Sequence, residues 1–261
     1  MKYTVLTLFP EITDAFFATS IMARAIKRGI IEYRAVNIRD YAYDRHKTCD
    51  DAPYGGGPGM LMLPEPLGLA LKDILGGDTA GKSRVIYLSP SGRSFNQGLA
   101  REFAMEQELV LLCGRYEGID QRIIDRYVDD EISVGDYVLS SGEVAALALI
   151  DATYRLVDNV ICAESLAEES FSDGLLEYPQ FTRPEVYDTM KVPEVLLSGH
   201  HEQIRLWRLE KRVEKTLRQR PDLIQRGRDI GVFNGEINKV IDRLTAIRQD
   251  VQAEGEKDER N

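Results

Sequence analysis

The chain has 261 residues, of which 43% are hydrophobic and 29% charged, and its formal net charge is −10. This length and composition suit one large domain or two smaller ones with a buried core, and they exclude a disordered chain. No apolar run is long enough to span a bilayer, and the negative charge argues against a generic polyanion binder. Three widely spaced cysteines, Cys49, Cys113 and Cys162, form neither a disulfide framework nor a metal knuckle. We interpret them as packing residues of a cytoplasmic protein.

Residues 1–157 alternate β-rich runs with helix-like segments, which predicts an α/β domain with a mostly parallel sheet and helices on both faces. The chain opens on a predicted strand, without a basic leader or a cleavage site. Helices are predicted over residues 12–28, with Gly29 placed to end the helix, and over residues 142–156. The predicted strands are residues 3–9, 31–37, 85–89, 109–113 and 131–134.

The rest of the chain changes character twice. Residues 158–190 are polar, acidic and end in prolines, which predicts a flexible linker with little core of its own. Residues 191–252 are predicted to form a small helical domain, with apolar residues three and four apart, a break at Pro221 and a last helix near residues 237–249. Residues 253–261 are predicted to be a disordered tail. The apolar stripe comprises Leu206, Leu209, Val213 and Leu217.

Basic charge is concentrated in the helical part of the chain. Residues 199–228 contain nine Lys or Arg against four Asp or Glu, so a local basic face is compatible with the acidic total. Trp207 lies between two arginines of this stretch, Arg205 and Arg208. We interpret the tryptophan as a core residue and the arginines as candidates for phosphate contact.

Residues 54–60, Tyr-Gly-Gly-Gly-Pro-Gly-Met, are too rich in glycine for a helix or strand interior and must form a loop. It is either a flexible connection or a surface on which a flat or phosphorylated ligand approaches the backbone closely. Neither a P-loop nor a dinucleotide-binding fingerprint is present.

Three further loops follow predicted strands, after Leu88, Cys113 and Val134. If these strands are parallel neighbours, the loops share the carboxyl edge of the sheet, where open α/β sheets bind ligands. Glycines there leave main-chain groups uncovered, so the sequence predicts a pocket made mostly of backbone. Tyr116, Glu117 and Asp136 would supply its directional polar groups.

Other polar residues each have two interpretations. Arg155 either caps the predicted helix or holds a phosphate or a base edge with its planar fork. Glu168, Glu169 and Asp173 are either a solvated loop or include a general base. His200 and His201 are adjacent and His46 is the remaining histidine, so no metal centre is expected.

Taken together, the motifs resemble those of the bacterial tRNA (guanine-N1)-methyltransferase family, which belongs to the SPOUT superfamily. The resemblance covers nearly the whole chain, except the tail after about residue 221. It rests on Thr7-Leu8-Phe9-Pro10-Glu11, the glycine-rich loop 54–60, Leu88-Ser89-Pro90, Cys113-Gly114-Arg115-Tyr116-Glu117-Gly118-Ile119-Asp120, Ile132-Ser133-Val134-Gly135-Asp136-Tyr137-Val138-Leu139, Thr182-Arg183-Pro184 and Leu197-Ser198-Gly199-His200-His201.

The resemblance implies an α/β domain with a deep C-terminal trefoil knot, a homodimer, and a helical tRNA-binding domain after a linker. It also implies S-adenosylmethionine bound in the knot, with Mg²⁺ as a possible further cofactor. Carried over residue by residue, the cofactor contacts would be Tyr87, Leu88, Ser89, Pro90, Gly92, Gly114, Tyr116, Glu117, Val134, Gly135, Tyr137, Leu139 and Gly142.

The implied reaction is methylation of N1 of the guanosine directly 3′ of the anticodon (position 37) in tRNA. A linker aspartate before Ser-Phe is the family's base, and here that position holds Glu169, with Asp173 as the fallback. Arg155 corresponds to the arginine that stabilises the guanine oxygen, and Glu117 is a further catalytic candidate. The tRNA contacts implied are Gly59, Arg183, His200, Arg205 and Arg208.

Two alternatives stay open at this point. One is a knotted methyltransferase for another RNA. The linker and C-terminal motifs argue against this alternative. The other is an RNA-binding protein without catalysis. Two departures from the family pattern would allow it: Glu169 in place of the aspartate, and Asp158-Asn159-Val160-Ile161-Cys162 in place of the family's usual Pro-Gly-Val-Leu-Gly.

Overall fold

The computed structural model describes residues 1–76, 83–162, 165–166 and 168–258, with side chains as far as residue 249. The chain divides into two compact units, Met1–Ala163 and Glu164–Asn261. Among the helices of the described ranges, none combines the length and apolar character needed to cross a membrane.

The first unit is built on a five-stranded sheet whose neighbouring strands are all parallel. In chain order, all the strands of the first unit, inside and outside this sheet, are β1 (Lys2–Thr7), β2 (Glu32–Asn37), β3 (Asp50–Asp51), β4 (Leu61–Met62), β5 (Ser83–Ser94), β6 (Glu108–Leu112) and β7 (Asp130–Ser133). The spatial order is β2-β1-β6-β5-β7, while β3 and β4 form a separate short hairpin. Each of the five strands predicted from the sequence overlaps one strand of the parallel sheet, which confirms the α/β class.

The helices of this unit are α1 (Pro10–Phe17), α2 (Ser20–Lys27), α3 (Pro64–Leu75), α4 (Gln97–Ala104), α5 (Gln121–Tyr127) and α6 (Gly142–Tyr154). The prediction of one helix over residues 12–28 is wrong, because two helices occupy the stretch. Thr19 is extended and Ser20 has a φ of +54°, so the helical backbone is interrupted there. Gly29 has a φ of +70° directly after α2, as expected of a residue that ends a helix.

Both faces of the sheet are buried, and β6 shows this directly. Leu109 and Leu111 belong to the core shared with α6, whereas Val110 and Leu112 belong to the core shared with α3. All four side chains are fully buried. Successive strand residues point to opposite faces, so a continuously apolar strand requires cover on both.

The second unit is helical. Its elements are the hairpin β8 (Val186–Tyr187) and β9 (Met190–Lys191), followed by α7 (Glu194–Leu197), α8 (His201–Gln219), α9 (Pro221–Asp229) and α10 (Gly235–Asp258). Leu209 and Val213 of α8 pack against Ile224 of α9 and Ile241 of α10, whereas Leu206 of the predicted stripe is exposed. Pro221 starts α9, where its missing N–H has no helical partner to lose.

Two segments of the second unit differ from their predictions. Leu175, inside the stretch predicted to be a linker without a core, is fully buried in the helical core. The average acidity of the stretch conceals this apolar residue. At the other end, α10 continues to Asp258 through much of the predicted tail, and residues 259–261 lie outside the described residues.

Candidate functional site

The three predicted loops meet at the carboxyl edge of the sheet and enclose a cavity of about 280 Å³. They come together because β6, β5 and β7 are adjacent and parallel. The pairing of β5 with β7 shifts register between Leu88 and Arg93, so residues 89–92 lie outside the ladder within β5 and form the first loop. The shared edge predicted from the sequence is therefore confirmed.

The cavity brings together all but one of the residues expected to contact the cofactor. It also includes residues that the sequence did not single out, among them Ser91, Arg115, Ser133, Ser140 and Ala145. Asp136, expected to be a directional polar group, is exposed and is not among the lining residues. The expected residues that line the cavity are Tyr87, Leu88, Ser89, Pro90, Gly114, Tyr116, Glu117, Val134, Gly135, Tyr137, Leu139 and Gly142.

Gly92 is the expected cofactor residue that does not line the cavity. A Cβ at this position would lie 2.4 Å from the Glu131 carbonyl carbon and the Ile132 nitrogen, both on β7. The absence of a side chain therefore serves close packing against a neighbouring strand, which a sequence pattern does not distinguish from ligand contact.

Much of the cavity wall is main chain in direct contact with main chain. The Gly142 N–H donates to the Gly114 carbonyl over 2.8 Å, and a Cβ at Gly142 would lie 2.8 Å from the Cys113 Cα. A Cβ at Gly114 would meet the Tyr87 ring at 3.0 Å. The start of α6 thus approaches the loop after β6 closely because Gly142 has no side chain, whereas the missing side chain at Gly114 leaves room for the Tyr87 ring.

Tyr116 and Tyr87 place two hydroxyl groups at the cavity. Tyr116 has a φ of +58°. Partial burial, followed by the effect of the Asp50 carboxylate, raises the pKa of the Tyr116 hydroxyl. Burial also raises the pKa of Tyr87. Both hydroxyl groups are therefore protonated near pH 7.

The glycine-rich loop 54–60 contacts the cavity wall at Glu117. The Glu117 N–H donates to the Met60 carbonyl over 3.0 Å, and a Cβ at Gly59 would lie 2.4 Å from the Glu117 Cγ. Gly55 and Gly57, by contrast, have positive φ and open space around them. The loop therefore combines an exposed glycine surface with one tight contact to a cavity residue.

Glu143 is a buried carboxylate beside the cavity that the sequence reasoning missed. Its side chain is 1% exposed, and the Thr7 hydroxyl donates to Oε1 over 2.5 Å. Within the described part of the chain, Oε2 has no hydrogen-bond partner. Thr7 in turn accepts from the Phe9 N–H over 2.9 Å, so Glu143 connects the first turn of α6 to the end of β1. An acid in the first turn of the predicted helix was the available signal.

Arg155 lies at the other end of α6 from the cavity. It is the C-cap of a 13-residue helix whose first residue, Gly142, lines the cavity. At 1.5 Å per residue the two ends are about 20 Å apart. The described chain does not bring Arg155 to its own cavity.

The acidic candidates Glu169 and Asp173 belong to the second unit. Glu169 is half-buried, and its carbonyl accepts from the Ser172 N–H and hydroxyl over 3.1 and 2.7 Å. Asp173 forms an ion pair with Arg212 and accepts from the Leu175 N–H. The Asp173 carboxylate is therefore engaged in structural contacts, whereas a catalytic base needs a carboxylate that is free to accept a proton.

The RNA-contact candidates differ in their environment. Gly59 lies in the first unit, whereas Arg183 and His200 are exposed in the second. Arg205 pairs with both Glu202 and Glu236, and the Arg208 guanidinium lies 4.7 Å from the centre of the Tyr178 ring.

The tryptophan and one of the cysteines differ from the sequence interpretation. Trp207, expected in the core, is only partly buried, with its ring centre 6.3 Å from that of Phe181. Cys49 and Cys113 are buried as expected of packing residues, but Cys162 is exposed. In the described ranges no group of three or more His, Cys, Asp or Glu is placed to hold a metal ion.

Fold and site together define a class of protein. Proteins of this class have a parallel α/β domain whose ligand cavity is lined by the main chain of three strand-end loops. A helical unit with concentrated basic charge follows this domain in the chain. Such a cavity suits a small polar ligand oriented by backbone groups.

Comparison with known proteins identifies the family. The profile described as tRNA (Guanine-1)-methyltransferase TrmD matches residues 1–226. A Treponema denticola protein named tRNA (guanine-N(1)-)-methyltransferase is 63% identical over 241 residues, covering 92% of this chain and 98% of that protein. Proteins of the same name from Treponema pallidum and Borreliella burgdorferi are 58% and 56% identical, covering 94% and 85% of this chain and 96% and 92% of their own lengths. The chain belongs to the tRNA (guanine-1)-methyltransferase family.

Proposed function

We propose that the protein transfers a methyl group from S-adenosylmethionine to N1 of the guanosine directly 3′ of the anticodon in tRNA. The observation that carries the proposal is the cavity, because twelve of the thirteen residues expected to contact the cofactor line it. Family membership supports the same reaction. We also place the protein in the cytoplasm, where tRNA is modified.

The cavity fits S-adenosylmethionine in size and chemistry. Its volume of about 280 Å³ is close to the lower end of the range typical of small-molecule sites. Main-chain groups near Gly114 and Gly142 and the hydroxyls of Tyr87, Ser89 and Tyr116 supply polar contacts at fixed positions. These groups can hold and bend the cofactor without side-chain rearrangement.

The reaction requires that guanine N1 be oriented toward the methyl donor and that the N1 proton be removed. The bound sulfonium supplies an electrophilic methyl group. Methyl transfer to guanine N1 would leave the electrons of the broken carbon–sulfur bond on sulfur, so the protein's own residues have to orient N1 and accept its proton. We assign the role of the proton-accepting base to Glu169. Its carboxylate has the same chemistry as the family's aspartate, on a side chain longer by one methylene.

We assign Arg155 to the guanine oxygen, on which negative charge develops as N1 is deprotonated. A guanidinium can donate to this oxygen and stabilise the charge. Because about 20 Å of α6 separates Arg155 from the cavity of its own chain, the arginine must act at the cavity of a second copy. We therefore propose a homodimer.

Exposed apolar side chains around the cavity support this homodimer. Val138 lines the cavity and is 87% exposed, and Val144 at the start of α6 is 53% exposed. Large apolar residues exposed close together are typical of surfaces that another protein covers.

A hybrid dimer tests the shared site. Coexpressed Arg155→Ala and Gly114→Ala chains form about half hybrid dimers, each of which has one complete site if Arg155 acts across the dimer. At a concentration of S-adenosylmethionine too low to saturate the Gly114→Ala cavity, the hybrids should then be more active than either parent dimer. Absence of this gain in purified hybrids would show that Arg155 acts within its own chain.

For tRNA we propose contacts from Gly59, Arg183, His200, Arg205 and Arg208. The open glycines near Gly59 allow close approach of a nucleotide, and the arginines can contact phosphates. We further propose the knotted threading of the SPOUT superfamily. The hydrogen bond between Gly142 and Gly114, which ties the loop after β7 to the loop after β6, is compatible with it.

The first experiment measures transfer of labelled methyl from S-adenosylmethionine to two tRNA transcripts that differ only in guanosine or adenosine at position 37. Label on the guanosine transcript alone is expected. Equal label on both, or label only on ribosomal RNA, would favour another RNA substrate. Absence of label with the cofactor bound would favour an RNA-binding protein without catalysis.

Two variants then test the assigned roles. Arg155→Ala and Glu169→Gln should each lose methyl transfer while keeping the fold and the affinity for S-adenosylmethionine. Full activity in either would remove that residue from the proposed reaction.

A further inference from the structure

The segment that carries Glu169 is attached to helix α8 on both sides of that residue. Glu168 precedes it and Asp173 follows it, and each contacts an arginine of α8. The two arginines, Arg208 and Arg212, are four residues apart and so lie on one face of the helix. The segment is therefore part of the helical unit.

The contact after Glu169 is the ion pair between Asp173 and Arg212. Arg212 is 8% exposed, which is rare for an arginine and requires a charged partner. Asp173 also accepts from the Leu175 N–H over 3.3 Å, which fixes the turn that follows. Removal of either charge would leave the other one poorly compensated.

The backbone around this ion pair is anchored as well. The Leu176 N–H donates to the Thr216 hydroxyl of α8 over 2.9 Å, and Leu175 is fully buried. The Phe171 N–H donates to the Leu175 carbonyl over 2.8 Å, and the Ser172 hydroxyl donates to the Glu169 carbonyl. This compact turn transmits the position of Asp173 to Glu169.

Glu168, the residue before Glu169, takes part in a cluster around Tyr178. The Tyr178 hydroxyl donates to the Glu168 carboxylate over 2.9 Å, and the Arg208 guanidinium lies over the tyrosine ring. Arg208 also approaches the same carboxylate at 3.5 Å. Glu169 thus lies between two attachments to one helix.

We propose that Asp173 and Arg212 are positioning residues for Glu169, which they hold in the helical unit ready to meet guanine N1. The proposal rests on the proposed function, in which Glu169 is the base. It assigns Asp173 a role through another residue instead of the catalytic role considered from the sequence. The carboxylate then moves with the unit that carries the candidate tRNA contacts.

The test compares Asp173→Asn, Arg212→Lys and Glu169→Gln in single turnovers with tRNA. Asp173→Asn should slow methyl transfer about ten- to a hundredfold, since small misplacements of a reacting group have effects of this size. The affinities for S-adenosylmethionine and tRNA should change less than about twofold, and amide exchange in residues 169–177 should increase. Arg212→Lys, which keeps the charge, should also slow methyl transfer, but less than Asp173→Asn does.

The matched control is Glu214→Gln, which removes an exposed ion pair with Lys211 on the same helix. It should leave the rate and the exchange unchanged. The double variant Glu169→Gln/Asp173→Asn should be no slower than Glu169→Gln alone, because Asp173 acts only through Glu169.

Three results would overturn the proposal. They are an unchanged rate in both Asp173→Asn and Arg212→Lys, a further loss in the double variant, or a rate loss in Asp173→Asn without increased exchange. Full activity in Glu169→Gln is a separate result, because it contradicts the proposed base itself. If Asp173→Asn does not fold, Arg212→Lys gives the same comparison.

Discussion

Replacement of Thr7 by valine isolates the buried hydrogen bond that connects β1 to the first turn of α6. Valine keeps the shape of threonine but removes the hydroxyl that donates to Glu143 and accepts from the Phe9 N–H. Both oxygens of a carboxylate that is 1% exposed would then lack a partner in the described structure. Thr7→Ser, which keeps the hydroxyl, is the matched control.

The expected loss follows from these contacts. A hydrogen bond to a charged group contributes about 1.5–3 kcal/mol, and the bond from the Phe9 N–H about 1 kcal/mol. Thr7→Val should therefore lower the free energy of unfolding by roughly 2–4 kcal/mol. Thr7→Ser loses one buried methyl group, which costs about 1 kcal/mol. Glu143→Gln should lose less than Thr7→Val, because it removes the buried charge and keeps an acceptor for the hydroxyl.

The two units offer separate probes for this measurement. The single tryptophan, Trp207, lies in the helical unit, so its fluorescence in urea follows that unit. Circular dichroism follows both units, and the contribution of the first is the part that S-adenosylmethionine should stabilise. Thr7→Val should move the unfolding of the first unit to lower urea concentration and leave that of the helical unit unchanged. Equal stability of Thr7→Val and Thr7→Ser, within about 0.5 kcal/mol, would refute the reasoning.

Three further predictions address the site and the sheet. Gly114→Ala should weaken S-adenosylmethionine binding at least about tenfold, measured by calorimetry, because its Cβ would press on the Tyr87 ring. Gly59→Ala should slow methyl transfer more than Gly55→Ala; both have positive φ, but only Gly59 lies against Glu117, so equal rates would remove that contact from the explanation. Burial acts to raise the pKa of Glu108, but hydrogen bonds from Thr4, Lys2 and Ser83 outweigh it and hold that pKa below its usual value. Its stabilisation is therefore present above the unfolded pKa of about 4.3 and lost as the pH falls through the folded value. Urea titrations between about pH 5 and pH 3 should show a shallower decline in Glu108→Gln than in the wild type.

The sheet and its loops were predictable because local signals agree with the tertiary structure. β6 reads as a short continuous apolar run, and such a strand needs cover on both faces. Parallel neighbours then bring the loops after Leu88, Cys113 and Val134 to one edge. Periodicity predicts these strands, whereas their adjacency was an assumption that the strand order of the structure confirms.

The sequence was least informative where a neighbour distant in sequence decides the environment of a residue. Gly92 carries no local sign that the β7 backbone lies against it. Leu175 stands in an acidic stretch, and only the partners on α8 and α10 make it a core residue. Glu143 reads as an ordinary acid in a helix's first turn, since Thr7 is 136 positions away.

The positions of the proposed reacting groups bear on specificity. The cofactor cavity lies at the start of α6 and Arg155 at its end, while Glu169 belongs to the helical unit. In the proposed reaction the cavity, the base and the guanidinium come from two folded units and two copies of the chain, so the complete site depends on their assembly. A tRNA that engages the helical unit would bring the base with it, and the second copy would supply the arginine. Selectivity for tRNA would then come from assembly of the site as well as from the contacts that each unit makes.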